Sequence, residues 1–109
     1  MWRCSQCGYI HNGDDAPDKC PKCGAPKEKF EKIEGEAAEL IDRSRFTNSL
    51  HVSLSALALD MVDVAEEGIE DNLDPACVGV FKYAIDVGMK LHNMIDAELA
   101  GHMKKGKWG

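Results

Sequence analysis

No apolar run in this 109-residue chain approaches the roughly 18–20 residues that a membrane-spanning helix needs. Met1 leads directly into a Cys-x-x-Cys pair, so no secretory leader is expected. Bases are in the minority: 13 Lys+Arg stand against 19 Asp+Glu, and no basic stretch occurs outside the extreme C-terminal tail. A duplex-binding surface wants a basic face, so nucleic acid is not an expected partner. The segment 60–74 contains no base at all, and 36–67 contain neither proline nor glycine. Also missing is an acid three residues before any histidine, since Gly8, Asn48, Met89 and Leu99 hold those places before His11, His51, His92 and His102. The Glu-x-x-His pairs that build a di-iron site in a helical bundle are therefore not readable. A reducing, cytoplasmic compartment is expected, since it suits thiolate ligands and an odd fifth cysteine.

What is present begins with Cys4-x-x-Cys7 and Cys20-x-x-Cys23. Two such pairs make two knuckles whose four thiolates close tetrahedrally around one iron or zinc. Gly8 and Gly24 follow the second cysteine of each pair, where a residue without Cβ turns through conformations costly to others and brings its amide toward a sulfur.

The surrounding residues, Trp2-Arg-Cys4-Ser-Gln-Cys7-Gly-Tyr9 and Cys20-Pro-Lys-Cys23-Gly-Ala-Pro26-Lys-Glu-Lys-Phe30, resemble the rubredoxin-like module of the rubrerythrins over residues 1–33. The resemblance implies one iron per chain in an Fe(Cys)4 centre, one-electron transfer with redox partner proteins, and a small core of Trp2, Tyr9 and Phe30 around the metal. Zinc accepts the same four sulfurs, so a zinc-stabilised interaction module is the rival reading. Rubrerythrins also carry a di-iron bundle that reduces peroxide. Without the Glu-x-x-His pairs, a peroxide reductase here would need unusual ligands, and no catalytic residue is assigned.

Residues 1–33 carry a net +1 and 34–109 a net −7. So short an N-terminal module cannot fold on burial alone and should be held together by its metal. The remainder, 34–109, reads as a two-helix hairpin. A stripe at Leu40, Thr47, Leu50, Leu54, Leu57, Met61 and Val64/Ala65 marks the first helical face, with Gly68 as its stop. Asp74 caps the second helix and Pro75 opens it. Its stripe runs Val78, Phe81, Ala84/Ile85, Gly88, Leu91, Ile95 and Leu99, fading at Lys104. Further apolar residues beside both stripes exceed what one partner helix can cover, so a homodimer forming a four-helix bundle is expected. His51 and His92 lie at similar distances from the turn and form a possible second metal or haem site; otherwise they are interface histidines bonded to Ser55, Asp96 or backbone. Glu98 is expected opposite Arg43–Arg45, Cys77 as a small core residue, and the closing Lys104–Gly109 as a frayed tail.

Overall fold

The computed structural model describes residues 1–109, which form two compact units: 1–45 with 105–109, and 46–104. No helix is long and apolar enough to cross a membrane.

In the first unit, β1 (Trp2–Cys4) is the centre of a three-stranded antiparallel sheet, flanked by β2 (Ile10–His11) and β3 (Phe30–Lys32). Trp2 pairs with His11 on one side and Lys32 on the other, and Cys4 pairs with Phe30. The strands are two or three residues long, far too short to be stable alone. Their core consists of Cys4, Ala16, Cys20, Ala25 and Phe30, with Trp2, Cys7, Tyr9 and Cys23 against it. The aromatic trio expected around the cysteines is in place.

Helix α1 (Glu36–Asp71) and helix α2 (Pro75–Lys104) follow. The N-cap of α2 is as the sequence predicts: Asp74 Oδ1 accepts the Cys77 amide at 2.7 Å, and Pro75 occupies the first turn. Donation from the Cys77 amide also holds the Asp74 carboxyl below its ordinary value. Gly68, however, does not stop α1. The helix runs on to Asp71 and ends at Asn72 in the left-handed region (φ 50°), whose amide bonds the Gly68 carbonyl at 3.1 Å. Gly68 instead makes room for the ring of Phe81; a Cβ there would overlap the ring atoms.

The buried residues of α2, Gly88, Ile95 and His102, fall on its predicted stripe or its continuation and recur every seven residues. The stripe predicted for α1 is displaced by one residue. Asn48, Ala58, Val62 and Ala65 are buried, with His51 and Ser55 partly so, whereas Leu50, Leu54, Leu57, Met61 and Val64 are exposed. The reason is spacing between the helices. At Gly88 the helices approach so closely that a Cβ would stand 2.7 Å from Val62 Cγ2 and 3.1 Å from the Ala58 carbonyl oxygen. A seam that tight takes alanine, serine and valine, and the leucines turn about 100° away, one residue round the helix.

Gly79 offers the contrasting case, with nothing within 4 Å of a Cβ. Gly79→Ala should raise stability by about 0.5–1 kcal/mol through helix propensity. Gly88→Val should lower it by about 1–3 kcal/mol through overpacking. Urea denaturation followed by circular dichroism measures both, and the opposite ordering would refute this description of the seam.

Candidate metal centre

The two knuckles are built by one repeated hydrogen-bond pattern. The Cys4 amide bonds the Tyr9 carbonyl at 2.9 Å and the Gly8 amide returns to the Cys4 carbonyl at 2.9 Å. The Cys20 amide bonds Ala25 O and the Gly24 amide returns to Cys20 O, both at 2.8 Å. Gly8 (φ 81°) and Gly24 (φ 76°) occupy the left-handed region, which only glycine enters cheaply. Their amides therefore close each turn onto a carbonyl. Donors to sulfur lie elsewhere: the Lys22 and Cys23 amides donate to Cys20, and the Ala25 amide donates to Cys23.

The knuckles bring the four sulfurs within 4.8 Å of one another, with Cys4–Cys23 at 3.7 Å and Cys7–Cys20 at 3.6 Å. A regular tetrahedron with metal–sulfur bonds of about 2.3 Å has edges of about 3.8 Å, so the donor set fits one tetrahedral thiophilic ion. Cys4 and Cys20, the first of each pair, are buried, while Cys7 and Cys23 reach the surface.

As free thiols the four compete for charge. Burial pushes Cys20 up, but amide donation from Cys23 and Lys22 and the contact with Cys7 outweigh it and hold Cys20 down to about 7. For Cys23 the Ala25 amide pulls downward, yet burial and the crowding of Cys7, Cys20 and Cys4 push it up to about 12. A second thiolate beside the first is the costly step, and a bound cation removes that cost by drawing all four sulfurs into the anionic form.

The tail is not frayed. Residues 105–109 belong to the first unit, and Trp108 and Gly109 line a hollow of about 380 Å³ together with Cys7, Gly8, Tyr9, Ile10 and Lys22. Arg45 fixes its end, giving Nε–H to the Gly109 oxygen and a second N–H to Asn12 Oδ1, both at 2.8 Å. The aromatic at 108 and a base in the first turns of α1 were the available signals; the lysines between them read as solvated. Elsewhere in this unit Lys27 and Asp15 form a 2.6 Å ion pair, which lowers the Asp15 pKa and raises that of Lys27.

In the second unit His51 and His92 make different contacts. His92 bonds Ser55 through Nδ1 at 2.6 Å and faces Asp96 through Nε2 at 3.3 Å, two of the partners anticipated for an interface histidine. The His51 ring stands edge-on to His102, centroids 5.9 Å apart. His102, buried, contacts Asn48 Oδ1 through Nδ1 at 2.5 Å and Glu98 Oε1 through Nε2 at 3.2 Å. Glu98 thus pairs with His102 and not with Arg43 or Arg45, because four residues along one helix places the two side chains together. The Asn48–His102–Glu98 group was not foreseen. Its signal was the seven-residue register linking 48 to 55 and 62, and 102 to 88 and 95.

Residues 2–31 match the rubredoxin-like domain of rubrerythrin as a family. Reverse rubrerythrin-1 of Clostridium acetobutylicum is 34% identical over 82 residues, covering 75% of this chain and 40% of that protein. A match of that length runs beyond the cysteine domain into the helices. The rubrerythrin of Nitratidesulfovibrio vulgaris is 57% identical over 32 residues, 29% of this chain and 17% of its own length. That of Clostridium perfringens is 48% identical over 31 residues, 28% and 16% of the two chains. The chain therefore spans well under half the length of these relatives. No solved structure matches it. The N-terminal domain is a rubredoxin-like domain of the rubrerythrin type, with four cysteines set to bind one metal ion.

Two substitutions probe this geometry. Ala25→Pro removes the amide donor to Cys23, and the midpoint potential of an iron-loaded sample should fall, since amide donation favours the more negatively charged reduced centre. Voltammetry reads the shift, and an unchanged or higher potential would remove that amide from the account. Trp108→Ala should hasten metal loss to a chelator severalfold by opening the hollow beside Cys7, with helical circular dichroism unchanged.

Proposed function

We propose that this chain is an electron-transfer protein in which Cys4, Cys7, Cys20 and Cys23 hold one iron. The observation that carries the reading is the sulfur arrangement: S–S distances of 3.6 and 3.7 Å within a domain of the rubredoxin-like type, with amides aimed at the thiolates. When bound by four thiolates, iron supplies a one-electron ferrous–ferric couple with no change of ligand set. The chain's own contribution is positional. Cys4 and Cys20 anchor the ion in the core, and the amides of Lys22, Cys23 and Ala25 favour the reduced charge state. The half-exposed sulfurs of Cys7 and Cys23 form the edge through which a partner protein would exchange electrons.

The acidic run from Asp60 to Asp74 supports a basic redox partner, because surface charge chiefly sets encounter rate. The same four sulfurs serve a zinc-stabilised module equally well, so metal identity decides between these readings. The histidines of the helices enter no step of the proposed transfer.

The deciding experiment is metal analysis and visible spectroscopy on protein from its native source, since recombinant expression can load zinc into an iron site. One iron per chain, a red oxidised form and bleaching by dithionite are expected. Colourless protein stoichiometric in zinc would sink the proposal. Cys7→Ser or Cys23→Ser should abolish the colour and loosen the first unit while most helical signal persists. Reoxidation of reduced protein by hydrogen peroxide should be slow and insensitive to His51→Ala and His92→Ala. Fast turnover lost in the His92 variant would instead mark a peroxide reductase.

A further inference from the structure

The leucine stripe displaced from the α1 seam has a counterpart on α2. Leu54, Leu57, Met61 and Val64 each immediately precede a seam residue, Ser55, Ala58, Val62 and Ala65. On α2, Val80, Val87 and Met94 likewise precede Phe81, Gly88 and Ile95. In an antiparallel pair the same flank of both seams falls on the same side, so the two stripes merge into one face. The side chains agree. Leu54 of α1 and Met94 of α2 line one groove of about 240 Å³ together with Glu98, floored by the seam residues His51, Leu91 and Ile95.

This face is large and nearly free of charge. Leu50, Leu57 and Val64 are 53–63% exposed, and Val80, Tyr83 and Met94 are 67–70% exposed. From Thr47 to Val64, and again from Val80 to Ala97, it extends about 26 Å at 1.5 Å per residue. Eight large side chains each leave roughly 100 Å² in water, on the order of 800 Å² together, which exceeds the usual largest patch on a monomer and equals one partner's share of a standard interface. Its charges are Lys90, paired with Asp86 at 2.8 Å, and Glu98, which lines the groove and pairs with His102 at 3.2 Å. On the other flank carboxylates and a base interrupt the apolar residues, at Asp63, Glu66, Lys82 and Asp96.

We propose that a second copy of this chain covers this face, joining two hairpins into a four-helix bundle through the Leu57–Met94 side. Three observations favour a second copy. The face is two helices wide and matches its own length, as an isologous pair requires. Its charge-poor centre is the composition of a permanent homodimer interface and not of a transient one. Most of the carboxylates that give residues 34–109 their net −7 lie elsewhere, and Glu98 is paired with His102, so two acidic copies meet with little opposing charge, while the same acidity disfavours an anionic lipid surface. The proposal rests on the helical unit alone and is independent of which metal the cysteines hold.

Sedimentation equilibrium on the full metal-loaded chain tests it. The expected mass is twice the 12.0 kDa of one chain. Leu57→Glu should give a monomer that keeps its helical circular dichroism, whereas Val52→Glu, equally apolar at the start and 53% exposed on the other flank, should remain dimeric. A measurement without substitutions guards against misfolding. With a soluble paramagnetic agent, the Met94 methyl should be protected and the Met103 methyl broadened, although their exposures in one chain are 68% and 57%. A wild-type monomer at micromolar concentration with both methyls broadened would overturn the proposal. So would a dimer broken by Val52→Glu and not by Leu57→Glu, which would put the interface on the opposite flank.

Discussion

Everything in the first unit depends on four sulfur atoms being held at the edges of one small tetrahedron. Its strands are two or three residues long and its buried core includes two of the cysteines themselves, so apolar burial contributes little. The knuckle pattern repeats because one problem is solved twice: a chain must reverse within four residues and present two thiolates on the inside of the bend. Glycine at the left-handed position makes the reversal possible, and the carbonyl-directed amide locks it. The sulfurs are thereby placed where mutual repulsion is largest, which is why a cation stabilises the unit.

The second unit is governed by the opposite economy. Its helices approach closely at a glycine, and the α1 side of the seam is lined with alanine, serine and asparagine, so the larger apolar side chains of α1 are left outside it. A hairpin of this kind holds its register through small-residue contact and a few polar pairs, His92 with Ser55 and His102 with Asn48. Those bonds satisfy groups that would otherwise be costly to bury.

The parts of this structure legible in the sequence are those where one physical requirement acts alone. Metal geometry dictates the cysteine spacing, and the N-cap needs only Asp74 and Pro75. The α2 stripe was readable because its large residues, Phe81, Leu91 and Ile95, do face the seam. On α1 the largest apolar residues and the buried residues are different sets, and periodicity cannot distinguish stripes one residue apart without knowing how near the partner helix lies. Gly68 was misread for a related reason: a glycine near a helix end signals a stop only if no ring needs its space. The tail was missed because its anchor, Arg45 to Gly109, joins residues 64 apart in sequence.

The return of residues 105–109 to the first unit makes the helical hairpin an insertion within the metal-binding fold. The two sides of the segment 46–104 are tied through Arg45, which holds the Gly109 oxygen and Asn12, so the first unit acts on the hairpin as a cross-link does on a loop. An unfolded hairpin with pinned ends has fewer conformations than a free one, and losing the metal restores them. Metal release would thus lower the stability of helices that no ligand touches, purely through chain connectivity. Metal occupancy and helix stability would in this way be thermodynamically linked without any conformational signal passing between them.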